Sequence, residues 1–401
     1  MGGSATLARV ERGRLCTGCG ACAALSGNIR MQVSPRGYNR PVPAGNLTEA
    51  EDRRIAGVCP GLGIRSGNTS DDDPLWGRMI GLRTGHATDP ALRFRAASGG
   101  ALSAVLNYLV EHGIVEFVLH TEADPSDPVA NRTAASSTPE QIANAAGSRY
   151  APSSPLARIG EHLASGKRFA FVGKPCDVSA LRAMARIDPR IDAQVPVMLS
   201  FFCAGVPGRR GAAEIIRRLG LKPEQVAQFR YRGNGWPGFA TARLRDGSER
   251  NMGYDESWGR VLTRHVQFRC KICPDGIGND ADIAFADAWH TDNGMPRFDE
   301  AEGRSLILSR TRTGEDLLRA AIGAGTLQAT PEARHRIEAM QPAQATRKRV
   351  LIARLAALAA TLQPVPVFRG YRLFRLARQA SPAALLRNFL GTGRRTLLGP
   401  R

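Results

Sequence analysis

The sequence predicts an α/β protein whose mixed sheet is covered by helices. Its 401 residues exceed the usual size of one domain, so two or three units are expected. An apolar fraction of 43% is ordinary for a globular protein and is enough for a sizeable core. Short apolar segments alternate with amphipathic ones from Trp76 to Arg334. This rhythm favours a partly parallel sheet with helices packed against it.

The elements of this central part follow from local pattern. A helix over 102–110 carries its apolar residues on one face; Ser98 can cap it, while Gly99 and Gly100 can open it. Further predicted elements are strands at 115–119, 168–172 and 195–202, helices at 177–186 and 211–219, and a hairpin at 238–254 that turns at Asp246-Gly247. The loops that follow the parallel strands would meet at one sheet edge, where binding and catalytic residues are commonly found.

Composition divides the chain into three parts, 1–75, 76–335 and 336–401. The first is rich in Gly, Pro, Asn and Asp and would bury little apolar surface alone, so a metal cluster held by its cysteines could supply the missing order. The run Ser70-Asp71-Asp72-Asp73-Pro74 is typical of a linker to the second part, the α/β unit. The third part is predicted to be a basic helical extension.

The formal charge of +19 is concentrated in this C-terminal extension. From Pro342 to Arg401 there are twelve Lys or Arg residues and no Asp or Glu, which leaves +7 for the 341 residues before them. Two helical stretches are predicted, split at Gln363-Pro364-Val365-Pro366. Such a tail can lie on a membrane surface or bind an acidic partner, and it can equally be a solvated or partner-bound helix. No recognition motif accompanies the charge, so specific nucleic-acid binding is not expected.

The chain carries eight cysteines and no export signal. Its first residues lack the basic-then-apolar layout of a secretory signal, and no stretch reaches the roughly 18 consecutive apolar residues of a membrane span. We therefore expect a cytoplasmic protein, either free or attached at the inner face of the membrane. Because disulfides are rare in reducing cytosol, grouped cysteines point to metal or redox chemistry.

Four cysteines near the start have the spacing of an iron–sulfur site. Cys16, Cys19 and Cys22 are each separated by two residues, and Cys59 follows after 36 more, just before Pro60. The triplet matches the spacing of bacterial ferredoxins, and a remote fourth ligand would complete one 4Fe–4S cluster. The alternative is a four-cysteine zinc site, which usually takes two separated CxxC pairs. The spacing favours the cluster and predicts a ferredoxin-like iron–sulfur region.

The other four cysteines are scattered along the α/β unit. Cys176 and Cys203 each follow a predicted apolar strand, so both would lie along one edge of the sheet. The pair Cys270-x-x-Cys273 could join them in a second four-cysteine site. Two other interpretations stay open on spacing alone. Cys176 and Cys203 could be ordinary buried residues, and Cys270 and Cys273 could form a redox-active dithiol.

Ser98-Gly99-Gly100 is a candidate phosphate cradle, because glycine amides and a helix N-terminus can face an anion. The same residues are also typical of an ordinary helix start. Asp280, Asp282 and Asp287 lack the spacing of an EF-hand, and we interpret them as marking a strand whose polar ends approach a ligand.

Taken together, these segments resemble the coenzyme F420 hydrogenase/dehydrogenase beta-subunit family, whose members contain FAD and 4Fe–4S clusters. The shared segments occur in the family's order over roughly two-thirds of the chain. They are Cys16-x-x-Cys19-x-x-Cys22, Cys59-Pro60, Ala97-Ser98-Gly99-Gly100, Ser148-Arg149-Tyr150, Phe171-Val172-Gly173-Lys174-Pro175-Cys176, Phe202-Cys203-Ala204-Gly205, Tyr231-Arg232-Gly233, Cys270-x-x-Cys273-Pro274-Asp275, Ala281-Asp282-Ile283 and Asp287-Ala288-Trp289.

The resemblance implies an N-terminal 4Fe–4S region followed by a mixed α/β domain that binds FAD. The residues that would lie near the flavin are Ser98, Gly99, Gly100, Lys174 and Pro175. The residues that become expected ligands of a second cluster are Cys176, Cys203, Cys270 and Cys273. Lys174 and Asp177 stand where the family usually has Thr and Gln, and Ala286 stands where a Gly is common. These departures leave metal binding plausible and the substrate undefined.

The predicted activity is that of an iron–sulfur flavoprotein oxidoreductase. It would exchange electrons with a ferredoxin-like donor or acceptor and with a small-molecule substrate, a deazaflavin or another organic compound. A flavin fits between them, because clusters transfer single electrons whereas hydride carriers transfer two. No residue is assigned as catalytic. The alternative is an accessory protein of polysaccharide synthesis or modification that docks at a membrane surface through its basic tail.

Overall fold

The computed structural model describes residues 4–398, which form an eight-stranded mixed sheet with helices on both faces and several smaller sheets around it. The ends of the first and third predicted parts, residues 1–3 and 399–401, lie outside the described residues. In chain order the strands are β1 (Ile29–Val33), β2 (Asn39–Pro43), β3 (Gly63–Arg65), β4 (Gly81–Ala87), β5 (Phe117–Ala123), β6 (Asn131–Ser136), β7 (Phe169–Gly173), β8 (Met198–Phe201), β9 (Val226–Arg230), β10 (Ala240–Leu244), β11 (Glu249–Met252), β12 (Ile283–Asp287), β13 (Thr291–Asp292), β14 (Met295–Pro296), β15 (Ser305–Ser309), β16 (Leu327–Pro331) and β17 (Val367–Arg369).

The helices alternate with these strands through most of the chain. In chain order they are α1 (Ala5–Arg12), α2 (Ala21–Leu25), α3 (Glu49–Val58), α4 (Pro90–Arg95), α5 (Ala101–Glu111), α6 (Pro139–Asn144), α7 (Ile159–Ala164), α8 (Pro175–Ala185), α9 (Arg190–Gln194), α10 (Arg209–Arg218), α11 (Phe268–Lys271), α12 (Arg312–Gly323), α13 (Ile337–Met340), α14 (Pro342–Arg349), α15 (Leu351–Ala360), α16 (Leu373–Ala377) and α17 (Pro382–Leu397).

The central sheet is parallel in its middle and antiparallel at both sides. Its strand order is β16-β4-β15-β12-β8-β7-β5-β6. β5, β7, β8 and β12 run parallel to their neighbours within this set, whereas β6, β15, β4 and β16 are antiparallel. The carboxyl ends of the four parallel strands therefore share one edge, as the sequence predicts.

The alternation of side chains along the parallel strands builds a core on each face. On β5, Phe117 and Leu119 join a cluster with α7, α8 and α9, while Val118 joins one with α5 and α12. This follows from the two-residue period of a strand, which sends neighbouring side chains to opposite faces. Because both faces of these strands are buried, their segments are continuous apolar runs in the sequence.

Most of the predicted elements are confirmed, with ends shifted by a few residues. The predicted hairpin forms from β10 and β11, which pair in antiparallel register. The prediction that Ser98 caps the helix at 102–110 is wrong. The residue at the N-cap of α5 is Gly100, with φ of 74°, and the hydroxyl of Ser98 donates instead to the carbonyl of Ala286 at 3.0 Å.

The basic tail is helical on both sides of 363–366, as the sequence predicts, and it packs against the rest of the chain. Residues 336–398 form five helices and strand β17, which pairs in parallel with β3. Leu351, Leu355 and Leu358 of α15 pack in one cluster with residues of the N-terminal region. The Nζ atom of buried Lys348 donates to the carbonyl of Leu75 at 2.6 Å. Among residues 4–398, no helix is long and apolar enough to cross a bilayer.

Truncation of a tail leucine should therefore destabilise the whole protein. We expect Leu358→Ala to lower the free energy of unfolding by about 2–5 kcal/mol, because the side chain is fully buried and its removal leaves a cavity. The matched control is Leu386→Ala on α17, where the leucine is 58% exposed and a change within about 0.5 kcal/mol is expected. Urea unfolding followed by circular dichroism measures both. Equal, small effects would mean that the tail does not fold cooperatively with the body.

Candidate functional site

The first cysteine group lies between the loop before α2 and the end of α3. Cys16 and Cys19 are on the loop, Cys22 is on α2, and Cys59 is the C-cap residue of α3. All four line a single cavity, which is otherwise lined largely by apolar side chains. Gly20 is the N-cap residue of α2 with φ of 89°, and a Cβ atom there would come within 2.7 Å of the backbone nitrogen of Ala157. The loop can therefore turn toward α2 only with glycine at this position.

The environment of these thiols combines burial with backbone hydrogen-bond donors. The pKa of Cys19 is raised to about 12, mainly by burial and further by Asp177 and Cys59. The pKa of Cys59 is raised to about 11, mainly by burial and in part by Cys16. The N–H groups of Gly61 and Leu62 point at the Cys59 sulfur and partly oppose this rise in its pKa. Cys19 is buried and the other three are partly buried. Sulfurs in such surroundings that receive N–H donors suit thiolates bound to iron, whose binding would displace the thiol protons.

The second cysteine group lies at the carboxyl edge of the parallel strands. Cys176 is in the first turn of α8, directly after β7, and Cys203 is two residues beyond the end of β8. Cys270 is on α11, and Cys273 follows that helix. The N–H group of Val206 donates to the Cys270 sulfur at 3.4 Å. The strand-end placement of Cys176 and Cys203 is the one the sequence predicts.

Thiols of this second group raise one another's pKa values through electrostatic repulsion between thiolates. Burial raises the pKa of Cys203 to about 12, and Cys270 and Cys273 add to that rise. The pKa of Cys176 is raised first by burial and further by Cys203 and Cys273, among other groups. Within residues 4–398, no three His, Cys, Asp or Glu side chains are arranged to hold a single metal ion. The assignment of the eight cysteines as cluster ligands therefore stays a prediction.

One buried glutamine connects the two cysteine groups. Gln267 is 2% exposed, and its Nε2 atom donates to the carbonyl of Thr17 at 3.1 Å and to the sulfur of Cys270 at 3.5 Å. Its Oε1 atom accepts a hydrogen bond from Arg40 at 3.1 Å. The first and second groups are therefore separated by about the length of one side chain. Sequence reasoning missed Gln267, which carries no motif of its own.

A buried ion pair also lies between the two groups. Asp177 is 1% exposed, and Lys174 Nζ is 2.7 Å from its Oδ2 atom. Burial is the main cause of the raised pKa values of Cys19 and Cys176, and the carboxylate of Asp177 raises both further. Burial alone would lower the pKa of Lys174, but Asp177 and Cys176 hold it above the usual value. Lys174 is therefore a cation fixed beside both groups of thiols.

The residues predicted to lie near a flavin fall in two places along the carboxyl edge. Lys174 and Pro175 follow β7, whereas Ser98 lies beside the end of β12, with β8 between them. No hydrogen bond joins the two sets within the described part of the chain. Gly99 has φ of 73°, and a Cβ atom there would come within 2.6 Å of the Gly303 carbonyl.

The glycine pair before α5 carries unused hydrogen-bond donors. Gly99 and Gly100 are both buried. In residues 4–398, neither of their N–H groups donates a well-formed hydrogen bond. Buried N–H groups in folded proteins are almost always paired. These two amides at a helix N-terminus are therefore suited to receive a ligand oxygen, as a phosphate cradle requires.

The sequence did not reveal the role of an aromatic cluster at the end of β12. Arg232 donates two hydrogen bonds to the carboxylate of Asp287, at 2.9 and 3.0 Å, and Trp236 Nε1 donates a third at 2.7 Å. The rings of Trp236 and Trp289 stack with centroids 4.7 Å apart, and the Arg232 guanidinium lies 4.8 Å from the ring centre of Tyr254. Asp287 thus orients a basic, aromatic wall near Ser98. The segments Tyr231-Arg232-Gly233 and Asp287-Ala288-Trp289 were its only signal.

The C-terminal tail covers the second cysteine group. Arg347 Nη2 donates to the carbonyl of Cys203 at 2.8 Å, and Gln344 Nε2 donates to the same oxygen at 3.3 Å. Arg354 donates to the carbonyl of Lys271, between Cys270 and Cys273. Three tail side chains thus hold the loops that carry these cysteines.

Profiles of one family match the sheet-forming region. The family is that of the coenzyme F420 hydrogenase/dehydrogenase beta subunit. The profile of its N-terminal part matches residues 82–159, and the profile of its C-terminal part matches residues 166–335. The chain belongs to this family. The second cysteine group and the predicted flavin residues lie inside the F420 hydrogenase/dehydrogenase match, whereas the first cysteine group and the tail lie outside it.

Similar proteins carry related names. The F420-dependent formate dehydrogenase 1 subunit beta of Methanococcus maripaludis is 27% identical over 235 residues, 57% of this chain and 58% of that protein. The coenzyme F420 hydrogenase subunit beta of Methanococcus voltae is 24% identical over 257 residues, 60% of this chain and 81% of that protein. This chain therefore spans little more than half the length of the formate dehydrogenase subunit.

A similar fold is found in a solved complex. A chain of the F420-reducing nickel–iron hydrogenase complex from Methanosarcina barkeri superposes with a TM-score of 0.55 at 19% identity, covering 71% of this chain and 95% of that chain. The likeness extends over the mixed α/β fold. Family membership supports an oxidoreductase role for this chain.

Removal of the arginine from the buried pair at the end of β12 should strongly destabilise the protein. We expect Arg232→Met to lower the free energy of unfolding by about 3–5 kcal/mol, because it leaves the Asp287 carboxylate without its partner. The control is Arg297→Met, whose pair with Asp299 is more than half exposed and should contribute at most about 1 kcal/mol. Urea denaturation compares the two. Similar losses in both variants would contradict a special role for the buried pair.

Proposed function

We propose that this chain is an iron–sulfur flavoprotein oxidoreductase that moves electrons between a one-electron carrier protein and an organic substrate. Its membership of the F420 hydrogenase/dehydrogenase beta-subunit family supports the reaction class. The similar proteins are named as subunits of F420-dependent enzymes, and a deazaflavin is therefore the first substrate to test. The direction of electron flow is left to the experiment.

The two cysteine groups are proposed to hold one 4Fe–4S cluster each. The ligands of the first are Cys16, Cys19, Cys22 and Cys59, and those of the second are Cys176, Cys203, Cys270 and Cys273. The fit rests on buried sulfurs, N–H donors to sulfur such as that of Val206, and the absence of acidic oxygens as alternative ligands in the first cavity. The tail residues Arg347 and Arg354 keep the second group in place and shield it from water.

FAD is proposed to lie at the carboxyl edge of the parallel strands. The N–H groups of Gly99 and Gly100 would bind its anionic part, beside Ser98. Lys174 and Pro175 would border the flavin on the side of the second cysteine group. A bound flavin supplies the chemistry that couples single-electron transfer to a two-electron substrate. The fixed cation of Lys174 would favour negative charge near it.

The contact through Gln267 is the observation that carries this proposal. It joins the loop of the first cysteine group at Thr17 to Cys270 of the second group through one side chain. A sequence of redox centres requires such short separations. The second group and the predicted flavin residues Ser98 and Lys174 lie along the same carboxyl edge of the sheet. We therefore propose that electrons pass between the N-terminal region and this edge.

Oxygen-free purification followed by chemical analysis tests the proposal. We expect about eight iron and eight acid-labile sulfide atoms per chain, by ligand count, together with one FAD. Cys22→Ala should reduce the iron to about four atoms, because only the first group is lost, and Cys176→Ala should do the same through the second group. Each variant is the control for the other.

The spectrum of the same sample gives an independent reading. F420 should bleach when it accepts electrons from dithionite-reduced protein, or the protein flavin should bleach when reduced F420 is added. A colourless protein that holds zinc, or no metal and no flavin, would contradict the proposed function. Iron at about four atoms in the unsubstituted protein would confine the clusters to one group.

A further inference from the structure

A large open groove lies beside the first cysteine group, away from the proposed flavin site. Its volume is about 1070 Å³. It is lined by β3 and β17, by the second half of α8, and by the loops that precede β12 and follow β15. Because β15 is antiparallel to β12, both loops lie at the amino ends of the parallel strands. The groove is therefore at the opposite end of the sheet from Ser98 and Lys174.

The groove touches the first cysteine group through one loop. Val58, Cys59 and Pro60 line both the groove and the cavity that holds Cys16, Cys19 and Cys22. A molecule seated in the groove would thus contact the segment that carries one of the four proposed ligands. The second cysteine group and the proposed flavin site lie at the other end of the sheet, at the carboxyl edge of the parallel strands. The groove is placed where electrons could enter or leave the chain.

The rim of the groove carries arginines that the fold does not use. Arg65 on β3, Arg186 after α8 and Arg369 on β17 are exposed and line the groove. Within residues 4–398, none of the three side chains makes an ion pair or a hydrogen bond. Two acidic side chains lie on the floor of the groove. Asp282 is buried and accepts hydrogen bonds from Arg182, the Thr311 hydroxyl and the Met198 N–H, and Asp280 accepts one from the Ser179 hydroxyl and makes no ion pair among the described residues. Three exposed arginines without a carboxylate partner thus outnumber one unpaired carboxylate, and the excess charge of the groove is positive.

Two of these arginines are held side by side. β3 and β17 pair in parallel, and Arg65 and Arg369 are register partners. Like charges directly opposite each other on neighbouring strands destabilise a sheet. Nothing in the fold offsets this repulsion, because neither side chain has a carboxylate partner among the described residues. An anionic partner in the groove would turn the repulsion into attraction for both.

We propose that this groove is the docking surface for an acidic electron-carrier protein. The arginines are spread over three elements of an open groove, which suits the acidic surface of a protein better than a small anion enclosed by a pocket. Complexes of redox proteins are small, weak and steered by charge, so a groove with a few unpaired arginines is sufficient. The step transfers one electron between the carrier and the chain, and no covalent bond forms or breaks. This docking proposal rests on the proposed oxidoreductase function.

The C-terminal tail forms part of the groove through strand β17. β17 supplies Arg369 and Val367 to the groove, and its pairing with β3 sets the position of Arg65. Of the twelve basic residues of the tail, Arg369 lies at the groove, whereas Arg347 and Arg354 hold the loops of the second cysteine group.

Binding of a bacterial ferredoxin to the full-length holoprotein tests the proposal. The ferredoxin is an acidic protein with two 4Fe–4S clusters, and isothermal titration calorimetry measures its dissociation constant. We expect Arg65→Glu/Arg186→Glu/Arg369→Glu to weaken binding by on the order of tenfold or more, because it reverses the charge of the rim. The milder triple change to Gln should weaken binding less, and circular dichroism verifies that both variants fold.

The matched control reverses three arginines outside the groove. Arg217, Arg243 and Arg264 are exposed, lie outside the groove lining and make no ion pair among residues 4–398. Their triple change to Glu alters the net charge equally and should leave the affinity nearly unchanged. Raising the salt from about 0.05 to 0.5 M should weaken the wild-type complex strongly and the groove variant little.

Three outcomes would overturn the docking surface. They are equal losses in the groove and control variants, no measurable ferredoxin binding by the wild-type protein, and equally tight binding of parvalbumin, an acidic protein without a redox centre. Iron, sulfide and flavin analysis of the same samples, with reduction by dithionite, reports on the proposed function separately. If the clusters are intact but ferredoxin binding does not depend on these arginines, the proposed function stands and the proposed docking surface is contradicted.

Discussion

The hydrogen bonds of Gln267 are the contact on which the arrangement of the two cysteine groups depends. This side chain is buried, and it ties the loop of the first group at Thr17 to Cys270 of the second. A buried amide without partners destabilises a protein by about 1–3 kcal/mol, so the two loops are held at the distance that satisfies it. The sheet edge positions Cys176 and Cys203, and the tail holds Cys203 and Lys271 from the other side. Each layer of the structure thus constrains the same small region.

The ion pair of Lys174 and Asp177 places two opposite charges in a buried position beside Cys176. A lone buried charge at either position would be strongly destabilising, whereas the pair is tolerated. Burial raises the pKa of Asp177, and Lys174 opposes that rise. Each side chain therefore depends on the other to remain charged inside the protein.

The central sheet could be predicted from the sequence because its signals are local. Buried parallel strands such as β7 appear as short apolar runs, and a cysteine at the end of such a run must lie at the sheet edge. The contact of Gln267 with Thr17 joins residues 250 positions apart, and no local pattern announces it. The packing of the tail could not be predicted for a similar reason. Its composition leaves a membrane surface, an acidic partner and solvent open as its surroundings, yet several of its arginines donate to backbone carbonyls of remote loops, and buried Lys348 does so as well. Partners of this kind leave no trace in composition.

The pairing of β3 with β17 has a consequence for the order in which the molecule can be completed. The two strands are more than three hundred residues apart in the chain, and closure of so large a loop opposes their association. During synthesis the N-terminal region leaves the ribosome long before its partner strand exists. β3, which begins four residues after Cys59, therefore gains its partner strand only once β17 has been made, and the small sheet beside the first cysteine group is completed late in synthesis.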